Sequence, residues 1–595
     1  MAPSTLLGAV VRFGVFEFHP KSGELFKQGR RVRLPGQPAQ ILAFLLRRPG
    51  ELIAREELRQ ALWPADTHVN FDQSLNAAVK RLRYALGDSP EKPVFIETMA
   101  RRGYRFIAPA SAPDQSVLPQ STLPTIRPTH AVNSIAVLPF ENATADPDAD
   151  YLVDRLTEAI INAISRLPGL RVLARSTVFR YRGKPVDCRV LGRKLNVRAV
   201  LLGRLSQRGD GLTIGTELVE VQSGWLIWGE QFSRKLSDVL LIEAELSANI
   251  SEKLRSELTA KTSPGRPARR QTQSGEAYQD YLKARYHWNR MSVSGLQKSV
   301  EYFQHALEKD PGFALAHAGL ADSYCLLGFF DLLPPTEAMP KARQHAMRAI
   351  EIDGDLAEAY ASLASILKVY DHDWLAAERR YRQALQLNPN YVHAYRGYAA
   401  LLAAMGRFAE SVLQIRHAQD LDPLSVVVSM EIAWNFFISR EYDDAIRQAL
   451  RVTHLDPEFP SAQYILGLAC EQKGRFAEAR AALERSLGSR SHPSGVASLG
   501  RLFGVTGQRE EALHMLDELN RHASAGYVAP FWHSILYTGL GDVDAAIGHL
   551  ERSYAQNDVW LVWLNTEPRL DSLRADPRFQ QLLRRLGFGV QAAGA

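Results

Sequence analysis

Hydrophobic and polar positions change their period along the first part of the chain. Up to about residue 34, apolar residues alternate with polar ones in FGVFEFHP, GELFKQ and RRVRL, which predicts short β-strands. Apolar positions then recur every three or four residues, which predicts helices over 38–47, 54–62 and 72–86. The segment VFIETMARRGYRFIAP alternates again and predicts a β-hairpin. Strands, three helices and a terminal hairpin predict a winged helix-turn-helix of the α+β class.

A different mixture follows and predicts an α/β domain. SIAVLPFEN predicts a buried strand, 148–166 a helix, LRVLAR a strand and VLGRKLNV a short helix. Residues 199–232 predict a pair of strands joined by a Gly-Asp-Gly turn. A helix from Asp238 to Leu258 closes the segment.

The second half of the chain repeats itself every 34 residues. Trp374, Phe408, Tyr442 and Phe476 have this spacing, and a small residue follows each of them three positions later. Fifteen residues after the first three aromatics comes a proline, which ends a helix because it cannot donate the helical hydrogen bond: Pro389, Pro423 and Pro457. The pattern resembles the tetratricopeptide repeat family over about eight units. The resemblance implies an all-α superhelix that binds a protein or peptide in its groove.

Two segments without apolar periodicity divide the chain. Residues 109–131 hold five prolines and two charged residues, and 260–275 are polar, so both are predicted linkers. The predicted domains are a winged helix at 10–108, a middle domain at 132–259, a repeat array at 276–563 and a capping helix at 564–590.

The third predicted helix has a face suited to a DNA groove. One stripe is apolar: Leu75, Ala78, Val79, Leu82 and Leu86. The opposite face carries donors and cations but no carboxylate: Gln73, Ala77, Lys80, Arg81 and Tyr84, with Asn76 and Arg83 at its edges. Arg and Lys can donate to guanine or to phosphates in the major groove, and Asn can read adenine. A solvated helix face is the alternative from this helix alone.

Charge and the hairpin favour DNA. Residues 1–110 carry 17 Lys and Arg against 10 Asp and Glu, while the whole chain carries 71 against 65 with a net charge of +6. All the excess positive charge therefore lies in the first segment. Arg101 and Arg102 lie at the predicted hairpin tip, where a cationic wing can enter a minor groove.

KRLRYAL followed by VFIETMARRGYRF resembles the OmpR/PhoB-type winged-helix effector domain over about 10–108. In the middle domain IAVLPF, LPGLRVLAR, YRGKPVD and LIWGEQF resemble the amino-terminal domain of TolB-like proteins. Together with the repeats, these resemblances imply a CadC-like transcriptional regulator that binds double-stranded promoter DNA. The alternative is a repeat-based scaffold whose winged helix docks protein rather than DNA.

We expect no enzymatic activity, cofactor or metal site. The chain lacks a GxxxxGK[ST] phosphate loop, an HExxH zinc motif and a GxSxG nucleophile elbow. Its three cysteines, Cys188, Cys325 and Cys470, lie far apart and have no ligand spacing. The longest apolar stretch, Leu424 to Ser439, is interrupted by polar residues, so no membrane contact is expected. The sequence predicts a cytoplasmic protein and leaves a homodimer open.

Overall fold

A computed structural model gives the fold in two compact units, Met1–Arg127 and Pro128–Ala595. The residues that the structure describes are 11–13, 16–19, 24–27, 30–32, 34, 37–62, 71–90, 93–99, 102–108, 110–111, 132–144, 149–184, 186–208, 211–235, 239–257, 272, 274–289, 292–456, 459–487 and 492–589. Most of the predicted linkers and the wing residue Arg101 lie outside these ranges.

The first unit begins with a five-stranded antiparallel sheet in the order β4-β3-β2-β1-β8. Its strands are β1 (Val11–Phe13), β2 (Phe16–His19), β3 (Glu24–Lys27), β4 (Arg30–Val32) and β8 (Ala110–Ser111). Ala110 pairs with Phe13 and Ser111 pairs with Arg12, although the sequence assigns both residues to a linker. The sheet therefore continues beyond the predicted start of the linker at residue 109.

Three helices and a second sheet complete the winged helix. They are α1 (Gln37–Arg47), β5 (Leu52–Ala54), α2 (Arg55–Leu62), α3 (Phe71–Leu86), β6 (Ile96–Met99) and β7 (Gly103–Phe106). Strands β6 and β7 form the predicted hairpin, and β5 pairs with β7 on its other side. The rings of Phe13, Phe16, Phe95 and Phe106 pack at 5.0–6.5 Å and join the two sheets in one core.

The middle domain is a mixed sheet in the order β11-β9-β12-β13-β14, with β10 paired to β12. Its strands are β9 (Ser134–Val137), β10 (Glu141–Asn142), β11 (Arg171–Val172), β12 (Ala199–Arg208), β13 (Gly211–Glu220) and β14 (Leu226–Lys235). Its helices are α4 (Ala149–Ile164), α5 (Arg175–Val178), α6 (Cys188–Lys194) and α7 (Val239–Glu257).

The predicted strand pair over 199–232 is three strands. A turn after Glu220 leads into β14. Leu218 pairs with Trp228 and Val219 with Leu226, so Ile227 between them forms a bulge without a partner on β13. This bulge and the glycines Gly224 and Gly229 break the alternation by which the sequence would show a third strand.

Sixteen helices form eight consecutive pairs in the described part of 275–555. The first helices of the pairs are α8 (Gly275–Asn289), α10 (Ala314–Phe329), α12 (Ala357–Ile366), α14 (Val392–Ala404), α16 (Val426–Ile438), α18 (Pro460–Gln472), α20 (Pro493–Val505) and α22 (Pro530–Leu540). The second helices are α9 (Val293–Lys309), α11 (Pro335–Ile352), α13 (Trp374–Leu387), α15 (Phe408–Leu421), α17 (Tyr442–Leu455), α19 (Phe476–Leu487), α21 (Arg509–Ala525) and α23 (Val543–Ala555).

Small residues let the paired helices approach closely. The small residues that follow each repeated aromatic are fully buried: Ala377, Ser411, Ala445 and Ala479. A Cβ added at Gly397 would lie 2.5 Å from the ring of Tyr381. First helices of consecutive pairs pack on one another, whereas second helices of consecutive pairs do not make comparable contacts. The first helices therefore line the inside of the superhelical curve.

Residues 564–590 do not form the single capping helix that the sequence predicts. After a 3₁₀ turn at Val559–Trp563, the segment forms a second 3₁₀ turn at Pro568–Leu573 and only then helix α24 (Pro577–Arg585). Pro568 and Pro577 each start a new element because neither can donate a helical hydrogen bond. We call residues 559–588 the C-terminal segment.

The C-terminal segment runs back over the first helices of the array. Arg569 is 1% exposed, and its guanidinium donates to the carboxylate of Glu567 at 2.8 and 2.9 Å, to Ser498 Oγ at 2.8 Å and to the hydroxyl of Tyr464 at 3.1 Å. The indole of Trp374 donates to the Leu586 carbonyl at 2.8 Å. Since Tyr464, Ser498 and Trp374 belong to three different repeats, the segment ties these repeats together.

The middle domain docks on turns between repeats. The amide oxygen of Asn390 accepts from the backbone N–H of Val172 at 2.9 Å, and its Nδ2 donates to the carbonyls of Ser165 and Leu170 at 2.8 Å. One repeat further on, the Asp422 carboxylate accepts from the hydroxyl of Thr177 at 2.7 Å. Middle domain and repeats are thus joined by oriented hydrogen bonds within one unit.

No helix in the described ranges is long and apolar enough to cross a membrane. The apolar helix α16, which contains most of the stretch that the sequence analysis considered, instead packs between neighbouring repeats.

Lys368 is a buried lysine that destabilises the folded repeat array. It lies in a π-helical turn at Leu367–Asp371, is 8% exposed and makes no ion pair with any described side chain. Its amine lies 5.8 Å from the ring centre of Tyr381. Burial lowers the pKa of Lys368 to about 8.

We expect Lys368→Met to stabilise the array by about 2 kcal/mol at pH 7. The folded chain holds this proton less tightly than the unfolded chain, whose lysine pKa is about 10.4. The buried charge therefore destabilises the fold fully below about pH 8. This destabilisation disappears as the pH rises toward the pKa of the unfolded lysine. Calorimetric unfolding at pH 7 and pH 10 measures the difference.

Lys341→Met is the matched control, since Lys341 is half exposed beside Glu337 and its loss should change stability little. Equal effects of Lys368→Met at both pH values would show that its charge is not what destabilises the fold.

Candidate nucleic-acid interface

Helix α3 separates an apolar stripe from an exposed polar face. The predicted stripe is buried: Leu75, Ala78, Val79, Leu82 and Leu86 are each at most 3% exposed. Asn76, Ala77, Lys80 and Arg81 are exposed on the other side. The backbone of Gln73 and Tyr84 lies in the same helix, while their side chains are outside the description.

Arg83 connects α3 to the wing, the hairpin formed by β6 and β7. Its Nη2 donates to the Ile96 carbonyl at 2.8 Å and to Thr98 Oγ1 at 2.7 Å. The side chain is half-buried, and its Nε is buried without a partner among the described residues. Arg83 thus contributes its guanidinium to the joint between helix and wing.

The end of α3 provides a second joint. Gly87 has a φ of +67°, and the N–H of Asp88 donates to the Arg83 carbonyl at 2.9 Å, which caps the helix in a Schellman arrangement. The Asp88 carboxylate then accepts from the backbone N–H groups of Val94 and Ile96 at 2.7 and 2.8 Å. Strand β6 therefore starts at a position fixed by the helix end.

Asn76 provides a third joint, through its amide oxygen. Asn76 Oδ1 accepts from the Tyr104 hydroxyl and from Arg55 Nη2, both at 2.9 Å. Arg55 Nη1 also donates to the Tyr104 hydroxyl at 3.2 Å. A bidentate contact to adenine uses both the oxygen and the nitrogen of an Asn amide, and here the oxygen is already engaged.

The wing itself is held close to β5. A Cβ added at Gly103 would lie 1.9 Å from the Ile53 carbonyl oxygen, so only glycine fits there. The Arg102 N–H donates to the Met99 carbonyl at 2.9 Å. Arg105 and Glu97 pair across the two wing strands at 2.5 Å.

The start of α2 is capped from within the helix. Glu57, at the third helical position, accepts from the backbone N–H of Ala54 at 2.9 Å and from Arg48 at 3.2 Å. These two bonds lower the pKa of the Glu57 carboxyl. Because Ala54 pairs with Gly103, this cap also fixes the wing.

The face left open by these joints is cationic. Within the described residues, Lys80, Arg81 and Arg102 are exposed and none of them forms an ion pair. Two carboxylates that are close in sequence to these cations are used elsewhere, Asp88 at the base of β6 and Glu97 in its pair with Arg105. Such a surface favours a polyanionic partner.

Sequence reasoning found the exposed face but missed the residues that hold it. Arg55, Asp88, Thr98 and Tyr104 have no periodicity that distinguishes them, and the partners of their side chains described above lie 6–49 positions away. Thr98 and Tyr104 lie within the VFIETMARRGYRF phrase, but the phrase does not show which residues they contact.

Replacing the guanidinium of Arg83 should loosen the wing. We expect Arg83→Met to speed amide hydrogen exchange in Ile96–Met99 and Gly103–Phe106 by about tenfold, because the loss of two charge-assisted hydrogen bonds favours local opening. Exchange followed by mass spectrometry on the full chain measures this. Arg81→Met, on the exposed face of the same helix, is the control, and equal exchange in both variants would refute the joint.

No group of three or more His, Cys, Asp or Glu side chains in the described part of the chain is arranged to hold a metal ion. The three cysteines are not paired in disulfides.

Three family models match successive parts of the chain. Residues 29–106 match the C-terminal domain of transcriptional regulatory proteins, and residues 131–249 match the second domain of HilA/YgeH-like transcriptional regulators. Residues 363–425 and 431–495 match the tetratricopeptide repeat. The middle domain, which its sequence phrases likened to TolB, thus matches a HilA-like domain.

Curated relatives share parts of this arrangement. Transcriptional regulator HilA of Salmonella typhimurium is 24% identical over 441 residues, which cover 73% of this chain and 75% of HilA. "Putative adenylate cyclase 3" of Rhizobium meliloti is 31% identical over 239 residues, 39% of this chain and 40% of that protein. Transcriptional activator CadC of Escherichia coli is 27% identical over 138 residues, 21% of this chain and 26% of CadC.

The chain therefore spans less than half of the cyclase relative and three-quarters of HilA. It combines a winged helix of the OmpR/PhoB type, a HilA-like second domain and tetratricopeptide repeats, and it is similar to the transcriptional regulators HilA and CadC over parts of their length.

Proposed function

We propose that this chain regulates transcription by placing α3 in the major groove of promoter DNA and the wing in the adjacent minor groove. The observation that carries the proposal is the unpaired cationic face of Lys80, Arg81 and Arg102 on two elements that are locked together. A rigid pair of elements suits duplex DNA, because helix and hairpin must meet neighbouring grooves at a fixed separation.

The residues of the proposed interface have different tasks. Lys80 and Arg81 donate to guanine edges or phosphates, and Ala77 between them allows the helix to approach the bases. Gln73 and Tyr84 extend the same face toward the two ends of the helix. Arg102, together with Arg101, provides the charge of the wing.

Asn76 and Arg83 serve mainly as positioning residues in this proposal. The oxygen of Asn76 accepts two bonds from the protein, so only its Nδ2 is left to donate to DNA. Arg83 directs Nη2 to the wing strand β6. Base reading by the bidentate Asn–adenine contact is therefore not part of the proposal.

The repeats are proposed to receive a protein or peptide, on a surface that the C-terminal segment leaves open. The contacts of Arg569 cover inner positions at Tyr464 and Ser498, and the contact of Leu586 covers Trp374 at the start of α13. A depression of about 460 Å³ between α19, α20 and α21 remains, and it combines carboxylates with an apolar floor: Glu484, Leu499, Phe503, Glu510, Glu511, His514 and Met515. A peptide with basic and apolar side chains suits that lining.

The other candidate function is a scaffold whose winged helix docks protein. The salt dependence of binding distinguishes the two candidates. Phosphate contacts release counterions, so DNA affinity falls steeply with salt, while an apolar protein contact changes little. The proposal places the chain in the cytoplasm with the promoter, without catalysis or cofactor. The domain limits 10–108, 132–259, 276–563 and 564–590 stay predictions.

Alanine substitutions on the α3 face should weaken DNA binding. For the full chain and duplexes selected from a random pool, we expect Lys80→Ala and Arg81→Ala each to lower affinity by about tenfold and to reduce the slope of log K against log salt by about one. Fluorescence anisotropy at several salt concentrations measures both quantities.

Arg180→Ala, an exposed cation of the middle domain, is the matched control and should leave both quantities unchanged. Wild-type affinity in Lys80→Ala and Arg81→Ala would remove α3 from the interface. Salt-insensitive binding with no duplex selected would favour the scaffold.

A further inference from the structure

Strand β14 is an open edge of the middle-domain sheet. It is ten residues long and stands last in the strand order, paired with β13 on one side. On its other side no strand of the described residues is paired with it. The opposite end of the sheet is different, because the short strand β11 lies beside Asn390 of the repeats.

A long open edge exposes backbone N–H and C=O groups that another strand can pair with. Along β14, Gly229, Gln231 and Ser233 are exposed. Just before the strand, Trp225 is 72% exposed, and Leu226 at its start is 56% exposed. Large apolar side chains at the end of an open strand favour contact with another protein surface.

The middle of β14 carries one acidic and one basic residue, each two positions away from the same central residue. Glu230 and Arg234 lie on either side of Phe232 and point to the same face of the sheet, since side chains alternate along a strand. Both face α7, where Glu230 pairs with Lys253 and Arg234 pairs with Glu245 at 2.9 Å. Each is still partly exposed, with 31% and 48% of its side chain accessible.

Two copies of this strand complement each other in the antiparallel orientation. A twofold axis at Phe232 places Glu230 of each copy directly opposite Arg234 of the other. Axes at Glu230 or at Arg234 would instead oppose like charges.

We propose that this protein forms a homodimer by antiparallel pairing of β14 with β14 of a second copy, in the register centred on Phe232. The two six-stranded sheets become one continuous sheet, with both α7 helices on the same face. A second copy is the occupant because the charge pattern of the strand is complementary to itself. The bulge at Ile227, a device that often protects edges, lies near one end and leaves the central pairs free.

Two single charge reversals test the register. Glu230→Arg creates two Arg–Arg oppositions in a homodimer and Arg234→Glu creates two Glu–Glu oppositions, so each should weaken dimerisation by about tenfold or more. Mixing the two variants restores both opposite-charge pairs in a heterodimer. Sedimentation velocity of the full chain at several concentrations should show a wild-type dimer, two weakened variants and a restored dimer in the mixture.

Glu217→Arg, an exposed position on the neighbouring strand β13, is the control and should dimerise as the wild type does. Thermal unfolding verifies that every variant is folded. A wild type that stays monomeric at all concentrations, or a mixture no more dimeric than its components, would overturn the proposal. DNA binding by α3 does not depend on this outcome, so the two proposals fail separately.

Discussion

The joint between α3 and the wing is the constraint on which the candidate interface depends. Arg83 donates to Ile96 and Thr98, and Asp88 accepts from Val94 and Ile96. Charged groups on both sides of the joint make its hydrogen bonds strong. These bonds hold α3 and the wing together, so the cations of both elements form one surface. The Asp88 carboxylate of the joint does not neutralise this surface, because it is bound to backbone N–H groups.

The second unit is held together by contacts between its C-terminal segment and the repeats. The C-terminal segment crosses the inner surface of the repeats, and the buried Arg569–Glu567 pair is matched by the hydroxyls of Tyr464 and Ser498. A buried ion pair is tolerated only when its remaining donors are satisfied, as they are here. Asn390 and Asp422 then fix the middle domain on the turns between repeats. A partner bound to the repeats would therefore act on the middle domain through direct contacts.

Periodicity predicted those features whose cause is local. The stripe from Leu75 to Leu86 follows from helical spacing, and the buried Ala377 and Ala445 follow from the 34-residue repeat. Periodicity could not predict features that depend on partners far away in the sequence. The amide oxygen of Asn76, for example, accepts a hydrogen bond from Tyr104, 28 positions away. The C-terminal segment was predicted as one helix because its amphipathic pattern continues through Pro568 and Pro577, where the backbone cannot. Strand β14 was missed because a bulge at Ile227 breaks its alternation.

A photoactivatable amino acid at Ala77 tests the central claim most directly, because Ala77 is exposed in the middle of the face that is proposed to meet the bases. On a duplex selected by the full chain, the account predicts crosslinks at one or two adjacent nucleotides in the major groove, and none from the same amino acid at Arg180. Crosslinks spread evenly along the duplex, or formed with protein alone, would contradict it.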